Sequence, residues 1–365
     1  MNLPKHIQDL PAYTPIEPFE VLSERVRRKP ADIIKLDANE NPYGVSPRVR
    51  HALAEMEFPH IYPDPESRAL RAKLADFTGV PAANLLAGSG ADELLDLITR
   101  LLLETGDKVL NCPPTFGMYP FDTELNAGRI LDVPRRPDFS LDMQAIRAAV
   151  AEQAPRLIFL ASPNNPDGSL LPADELEEIL DLPLLVVLDE AYIEFADEED
   201  TLGKSLSRIT RVPELENLIV LRTFSKWAGL AGLRVGYGAF PSWLMPTLWK
   251  AKQPYNLNVA ASEAGIASLE DTEYLAQIVA RLRAERERLM EGLKKIPYLA
   301  PYPTHSNFIL CRVSGRDAAQ LKTDLAEKFG IFIRYFNKPG LRDHVRISVG
   351  KPAHTDALLK ALQEI

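Results

Sequence analysis

Residues 218–238 read LIVLRTFSKWAGLAGLRVGYG. The run Leu218 to Leu221 is short, apolar and branched, as expected of a buried strand in a parallel sheet. It ends abruptly in Arg222, Thr223, Ser225 and Lys226. A lysine at the end of a buried strand, beside hydroxyls and a glycine-rich segment, is a candidate amine nucleophile, because partial desolvation favours loss of its proton. Arg234 follows between Leu233 and Val235. An imine-forming lysine with an arginine for a phosphate is what pyridoxal phosphate requires. The alternative for this stretch alone is a strand end carrying two solvated cations.

Working outward, the 365 residues suffice for about two domains. A formal net charge of -9 argues against a nucleic-acid surface but leaves room for an anionic substrate in an arginine-lined cleft. Cys112 and Cys311 lack CxxC spacing, which suits a reducing compartment, and no metal is expected. The first residues, MNLPKHIQDLPAYTP, lack an apolar signal-like core, and no stretch is long enough to span a bilayer. A cytoplasmic location is therefore expected.

From Leu85 onward strands alternate with helices. LLAGSGADELLDLITRLLL, RLIFLASPNNPDG and LPLLVVLDEAYIEF each run from an apolar strand into polar loop residues, which implies an α/β domain with a mainly parallel sheet. The polar residues closing the strands should gather on its carboxyl edge, where a ligand would sit. Upstream, an amphipathic helix is expected from about Ser67 to Phe77, stopped by Gly79. Beyond Asn258 the pattern changes. A long helix from about Thr272 carries Arg281, Arg283, Glu285, Arg286, Glu287 and Arg288 as a solvated face. SNFILCRV, GIFIRYF and HVRISVG are strand candidates of a smaller α+β domain, with a helix between from about Asp317 to Phe329. The expected organisation is an amino-terminal arm over 1–35 packed on the small domain or a partner, a large cofactor-binding domain over 36–265, and a small domain over 266–365.

The turn at Gly88 is not a dinucleotide fingerprint, since the sixth position of GxGxxG is Glu93. A turn of small residues feeding a helix is still an anion site, so Ser89, Gly90 and Ala91 are assigned to the cofactor phosphate. GKS at 203–205 sits in acidic surroundings without the rest of a P-loop and is set aside. Asp189 ends an apolar strand, where its charge needs a cation such as a protonated pyridine nitrogen. Tyr192 and Asn165 could each reach the ring hydroxyl.

SPNNPDG, DEAYIEF, RTFSKWAGLAGLRVGY, GSGADELL and PPTFGMY together resemble the fold-type I pyridoxal-phosphate aminotransferases, most closely the histidinol-phosphate aminotransferase family. The likeness runs in order from LDANENPYG to HVRISVG. It implies an α/β fold-type I architecture, with a large domain on a mainly parallel, seven-stranded-type sheet and a smaller α+β domain. It also implies that Lys226 bonds the cofactor aldehyde and shuttles the substrate proton, that Asp189 pairs with the pyridine nitrogen, and that Asn165 and Tyr192 bind the ring oxygen. Phe116 would lie on the ring face, where a tyrosine is common. Ser89, Gly90, Ala91, Thr223 or Ser225, and Arg234 would hold the phosphate. Tyr62 would reach the phosphate of a partner subunit, which makes a homodimer expected. Arg346 matches a carboxylate-binding arginine and Arg334 one associated with phosphate recognition, with Tyr13 and Asn307 as further pocket lining. Trp227 beside the lysine departs from the pattern, with an effect on the pocket that the sequence leaves open.

The implied reaction is transamination between L-histidinol phosphate and 2-oxoglutarate, giving imidazole-acetol phosphate and L-glutamate, in histidine biosynthesis. The rivals are an aromatic or broad-specificity aminotransferase, a threonine-phosphate decarboxylase and a non-catalytic pyridoxal-phosphate-binding regulator.

Overall fold

The apolar run at 218 becomes a six-residue strand, Leu218–Thr223, with every residue buried. A computed structural model describes residues 3–10, 17–197 and 202–365. In chain order its strands are β1 Ile34–Leu36, β2 Leu85–Gly88, β3 Lys108–Asn111, β4 Arg129–Asp132, β5 Leu157–Ala161, β6 Leu185–Asp189, β7 Leu218–Thr223, β8 Gly236–Ala239, β9 Leu299–Pro301, β10 Phe308–Val313, β11 Ile331–Tyr335 and β12 His344–Ser348.

Seven of them form one sheet in the order β2-β8-β7-β6-β5-β3-β4. All neighbours are parallel except β8, which runs antiparallel to both β2 and β7. Ala161, Asp189 and Leu221 are register partners across β5, β6 and β7, so the loops after these strands leave the sheet at one edge. One apolar layer, including Val186, Leu188 and Val220, covers one face, and another, including Val187, Ile219 and Leu221, covers the other. Burial on both faces is why these strands read as unbroken apolar runs.

The second sheet has the order β1-β11-β12-β10-β9 around its own core of Leu289, Ile309, Leu321, Val345 and Leu358. β1 pairs in parallel with β11, and the helix Phe19–Val26 buries Leu22 against Ile33, Ala326 and Phe332. The limits expected at 35 and 265 thus fall inside β1 and inside the helix Val259–Leu269. That helix packs Ala261, Ala264 and Ala267 into the core of the large sheet.

The helix Arg68–Thr78 ends at Gly79 with a left-handed backbone, as its sequence predicts. The long helix Thr272–Leu293 joins the two bodies: Leu275, Ile278 and Leu282 belong to the large core, Leu289 and Leu293 to the small one. Its expected solvated face is corrected at two positions. Glu285 is buried and pairs with Arg288 at 2.8 Å. Arg286 donates to the carbonyls of Phe195 (3.1 Å) and Ser306 (3.2 Å), bridging the two bodies, because a long guanidinium can reach carbonyls that apolar neighbours cannot satisfy. Among the described residues no helix is long and apolar enough to cross a membrane.

Candidate active site

The turn after β7 is folded by its own hydroxyls: Thr223 Oγ1 accepts from the Ser225 amide at 3.1 Å and lies 2.9 Å from Ser225 Oγ. Lys226 follows, and its Nζ donates to the Ala38 carbonyl at 3.3 Å. It lines a cavity of about 110 Å³ together with Asp189, Tyr192, Thr223, Ser225, Phe116, Asn165, Ala91 and Arg234. This cavity opens into a cleft of about 710 Å³ that shares Phe116, Asn165, Tyr192 and Lys226 and adds Arg334 and Arg346.

Asp189 ends β6 with 7% of its surface exposed. Tyr119 Oη donates to its Oδ2 at 2.7 Å and the Ala191 amide to its Oδ1 at 3.0 Å. Burial dominates over these two donors and pushes the carboxyl up to about 6. A cation arriving in the cavity would restore its charge. Sequence reasoning missed Tyr119, although it closes the quoted PPTFGMY. It is fully buried and stacks on Phe159 at 5.0 Å, and only the fold, which packs the helix Met118–Leu125 against β3 and β4, brings its hydroxyl to the end of β6.

At the opposite end β2 turns through Ser89 and Gly90 into the helix Ala91–Leu102. Gly90 has φ +81°, and a Cβ there would lie 2.5 Å from Arg234 Nη2, so this turn needs glycine. Arg234 itself sits at φ +57° and donates to Asp92 Oδ2 at 2.6 Å. The Ser89 amide is already taken by Glu93 Oε2 at 2.5 Å, and Glu93 also accepts from Asn256 at 2.9 Å. Of the three residues assigned to the phosphate, Ala91 lines the cavity, Gly90 backs the arginine and the Ser89 amide points to Glu93.

On the substrate side Arg334 and Arg346 are direct register partners on β11 and β12. Like charges opposite each other repel. Here Phe336 lies against both guanidiniums, at 5.8 and 5.6 Å, and the open cleft lets anions offset the repulsion. Arg346 also donates from Nη1 to Asn165 Oδ1 and from Nη2 to the Asp37 carbonyl at 3.0 Å. Tyr192 Oη accepts from Asn39 Nδ2 at 3.0 Å, and Asn39 is another residue that sequence reasoning missed.

Three expectations need qualification. Asn307 does not line the cleft: it is 1% exposed and its Nδ2 donates to the Asn39 carbonyl at 2.9 Å. Tyr62 is 79% exposed and stacks on Tyr255 with centroids 4.6 Å apart, outside the lining of both cavities. Tyr13 lies outside the described residues. Trp227 is fully buried between Phe77 (5.8 Å) and Phe224 (5.4 Å), so it fills core and not pocket.

A buried carboxylate, an amine, a glycine turn against an arginine and a flat aromatic wall form a donor set that fits pyridoxal phosphate. Residues 31–364 match the family described as aminotransferase class I and II. The chain belongs to the aminotransferase class I and II family. Within it, the chain is 56% identical over 98% of its length to the chloroplastic histidinol-phosphate aminotransferase of Nicotiana plumbaginifolia, covering 85% of that protein. It is 49% identical to the histidinol-phosphate aminotransferase of Roseiflexus castenholzii, with 98% and 96% of the two chains covered. The crystal structure of histidinol-phosphate aminotransferase from Sinorhizobium meliloti in complex with pyridoxal-5'-phosphate superposes with a TM-score of 0.89 at 32% identity, covering 99% of this chain and 96% of that one.

Proposed function

We propose that this family member binds pyridoxal phosphate and transfers the amino group of L-histidinol phosphate to 2-oxoglutarate, giving imidazole-acetol phosphate and L-glutamate in histidine biosynthesis. The observation that carries this reading is the placement of Lys226 and Asp189 on the walls of one small cavity whose mouth holds the paired Arg334 and Arg346. When bound, pyridoxal phosphate supplies an aldehyde for amines and a ring that stores the electron pair left on the substrate carbon.

The chain's own residues do the rest. Asp189, held by Tyr119 and the Ala191 amide, would pair its carboxylate with the ring nitrogen and so favour that nitrogen's protonated form. Lys226 Nζ would shuttle the proton between the substrate's α-carbon and the cofactor's former aldehyde carbon, with the Ala38 carbonyl as its resting acceptor. Arg234 and the amino end of the helix Ala91–Leu102 hold the cofactor phosphate. Arg334 takes the phosphate of the donor and Arg346 the carboxylate of the acceptor, each with a planar fork suited to its anion.

Lys226→Ala is expected to lose the visible absorption of the lysine-bound cofactor and all turnover, and retained turnover would refute the assignment. Comparing wild-type rates on histidinol phosphate, phenylalanine and threonine phosphate separates the rivals. Bleaching of the yellow protein by an amino donor separates enzyme from regulator.

A homodimer is part of the reading. Phe58, Ile61, Tyr62 and Tyr255 are 57%, 54%, 79% and 44% exposed, large apolar side chains of the kind that a second subunit covers. Light scattering at a monomer mass would count against it. A cytoplasmic location is supported by Cys112 and Cys311, both free and buried, and cell fractionation checks it.

A further inference from the structure

Three consecutive residues after β1 each touch a different side chain of the site. Asp37 O accepts from Arg346 Nη2 at 3.0 Å, Ala38 O from Lys226 Nζ at 3.3 Å, and Asn39 Nδ2 donates to Tyr192 Oη at 3.0 Å. Asn39 is 1% exposed and holds φ at +58°, a left-handed conformation that asparagine tolerates better than most residues.

The small domain grips it from the other side. The Asn39 amide donates to Ser348 Oγ at 2.8 Å, Ser348 Oγ donates to Asn39 Oδ1 at 2.9 Å, and Asn307 Nδ2 donates to the Asn39 carbonyl at 2.9 Å. Ser348 has one proton and directs it to Oδ1, which leaves the Asn39 amide nitrogen facing Tyr192. A phenol that accepts from an amide keeps its own proton for another acceptor. Tyr192 lines both the small cavity and the cleft.

We propose that Asn39 is a positioning residue: by donating to Tyr192 Oη, and being held in that orientation by Ser348 and Asn307, it turns the Tyr192 hydroxyl proton into the cofactor cavity. The proposal rests on the cofactor reading above. It makes the hydrogen-bonding direction of Tyr192 depend on the seating of the small domain, since β10 and β12 carry or adjoin the residues that clamp Asn39.

The test is the pH titration of the visible absorption of the pyridoxal-phosphate-loaded enzyme. Asn39→Gly keeps the left-handed backbone and removes the amide. It is expected to raise the titration midpoint by up to about one pH unit, the effect of one neutral hydrogen bond on a titrating group. Tyr192→Phe should raise it similarly, and adding Asn39→Gly to Tyr192→Phe should add nothing further, because the two act through one contact. Ser348→Ala, which leaves Asn39 and Tyr192 in place, should shift the midpoint in the same direction by less, and it serves if the glycine variant fails to fold. A midpoint unmoved by the variants, or an Asn39→Gly shift that persists undiminished in Tyr192→Phe, overturns the proposal. A wild-type protein that develops no visible band with pyridoxal phosphate overturns the cofactor reading itself.

Discussion

Asp189 shows how burial and function meet in one side chain. Burial lifts its carboxyl from an ordinary 3.8 to about 6, so between those values the folded protein binds more protons than the unfolded chain. Stability of the cofactor-free protein therefore falls as pH rises through that window, by at most on the order of 3 kcal/mol. Asp189→Asn removes the effect, and the Tyr119 hydroxyl can turn to suit the amide. The cofactor-free variant is expected to melt above wild type at pH 8 and level with it below pH 4, while binding pyridoxal phosphate far more weakly. Equal melting at both pH values would show that burial of this carboxylate carries no such cost. Asp189, Lys226 and Arg234 stand out in the sequence because each is a charge set against apolar residues. Tyr119 and Asn39 do not, because a buried tyrosine or a turn asparagine looks the same whether it orients a catalytic group or not.

At the level of elements, β8 and the turn before the helix Ala91–Leu102 meet backbone to backbone at Gly236. A Cβ on Gly236 would lie 2.4 Å from the Ala91 amide nitrogen and 2.5 Å from the Gly90 carbonyl carbon, both backbone atoms that cannot swing aside. Gly236→Ala is expected to lower stability in urea by about 1–3 kcal/mol and to weaken cofactor binding by displacing the Ala91 amide. Gly232→Ala, where a Cβ meets nothing within 4 Å, should stay within about 0.5 kcal/mol of wild type. Similar losses in both would sink this account of the join. The same crowding explains why β8 was hard to read: GYGA has glycine where a strand ordinarily shows a branched residue, since the neighbouring turn leaves no room. β4 was obscured differently, as an edge strand with both end residues exposed and little apolar signal. The central strands β5, β6 and β7 were plain because both their faces are buried.

Across the whole molecule, Arg286 is a cation that joins the two bodies. Arg286→Met retains the buried stem but gives up both carbonyl contacts, and is expected to cost about 1–3 kcal/mol and to raise KM by loosening the small domain. Arg281→Met, on the exposed side of the same helix, should change neither. A result in which both variants match wild type would return the face to the solvated status that its charge pattern suggested. That pattern misled because alternating charges describe a helix surface without saying what packs on it, and here a second domain does.

What the sequence by itself determined was the α/β architecture, the lysine, carboxylate and arginine of the cofactor site, and the kind of chemistry they support. Local patterning is enough for these, since an apolar strand that ends in a charge advertises both its burial and the need for a partner. What only the tertiary structure decided was who meets whom across the cleft: Tyr119 under Asp189, Asn39 on Tyr192, Arg334 beside Arg346. Those contacts join residues up to 153 positions apart, and meetings over such separations depend on strand order and register, which no short window of sequence contains.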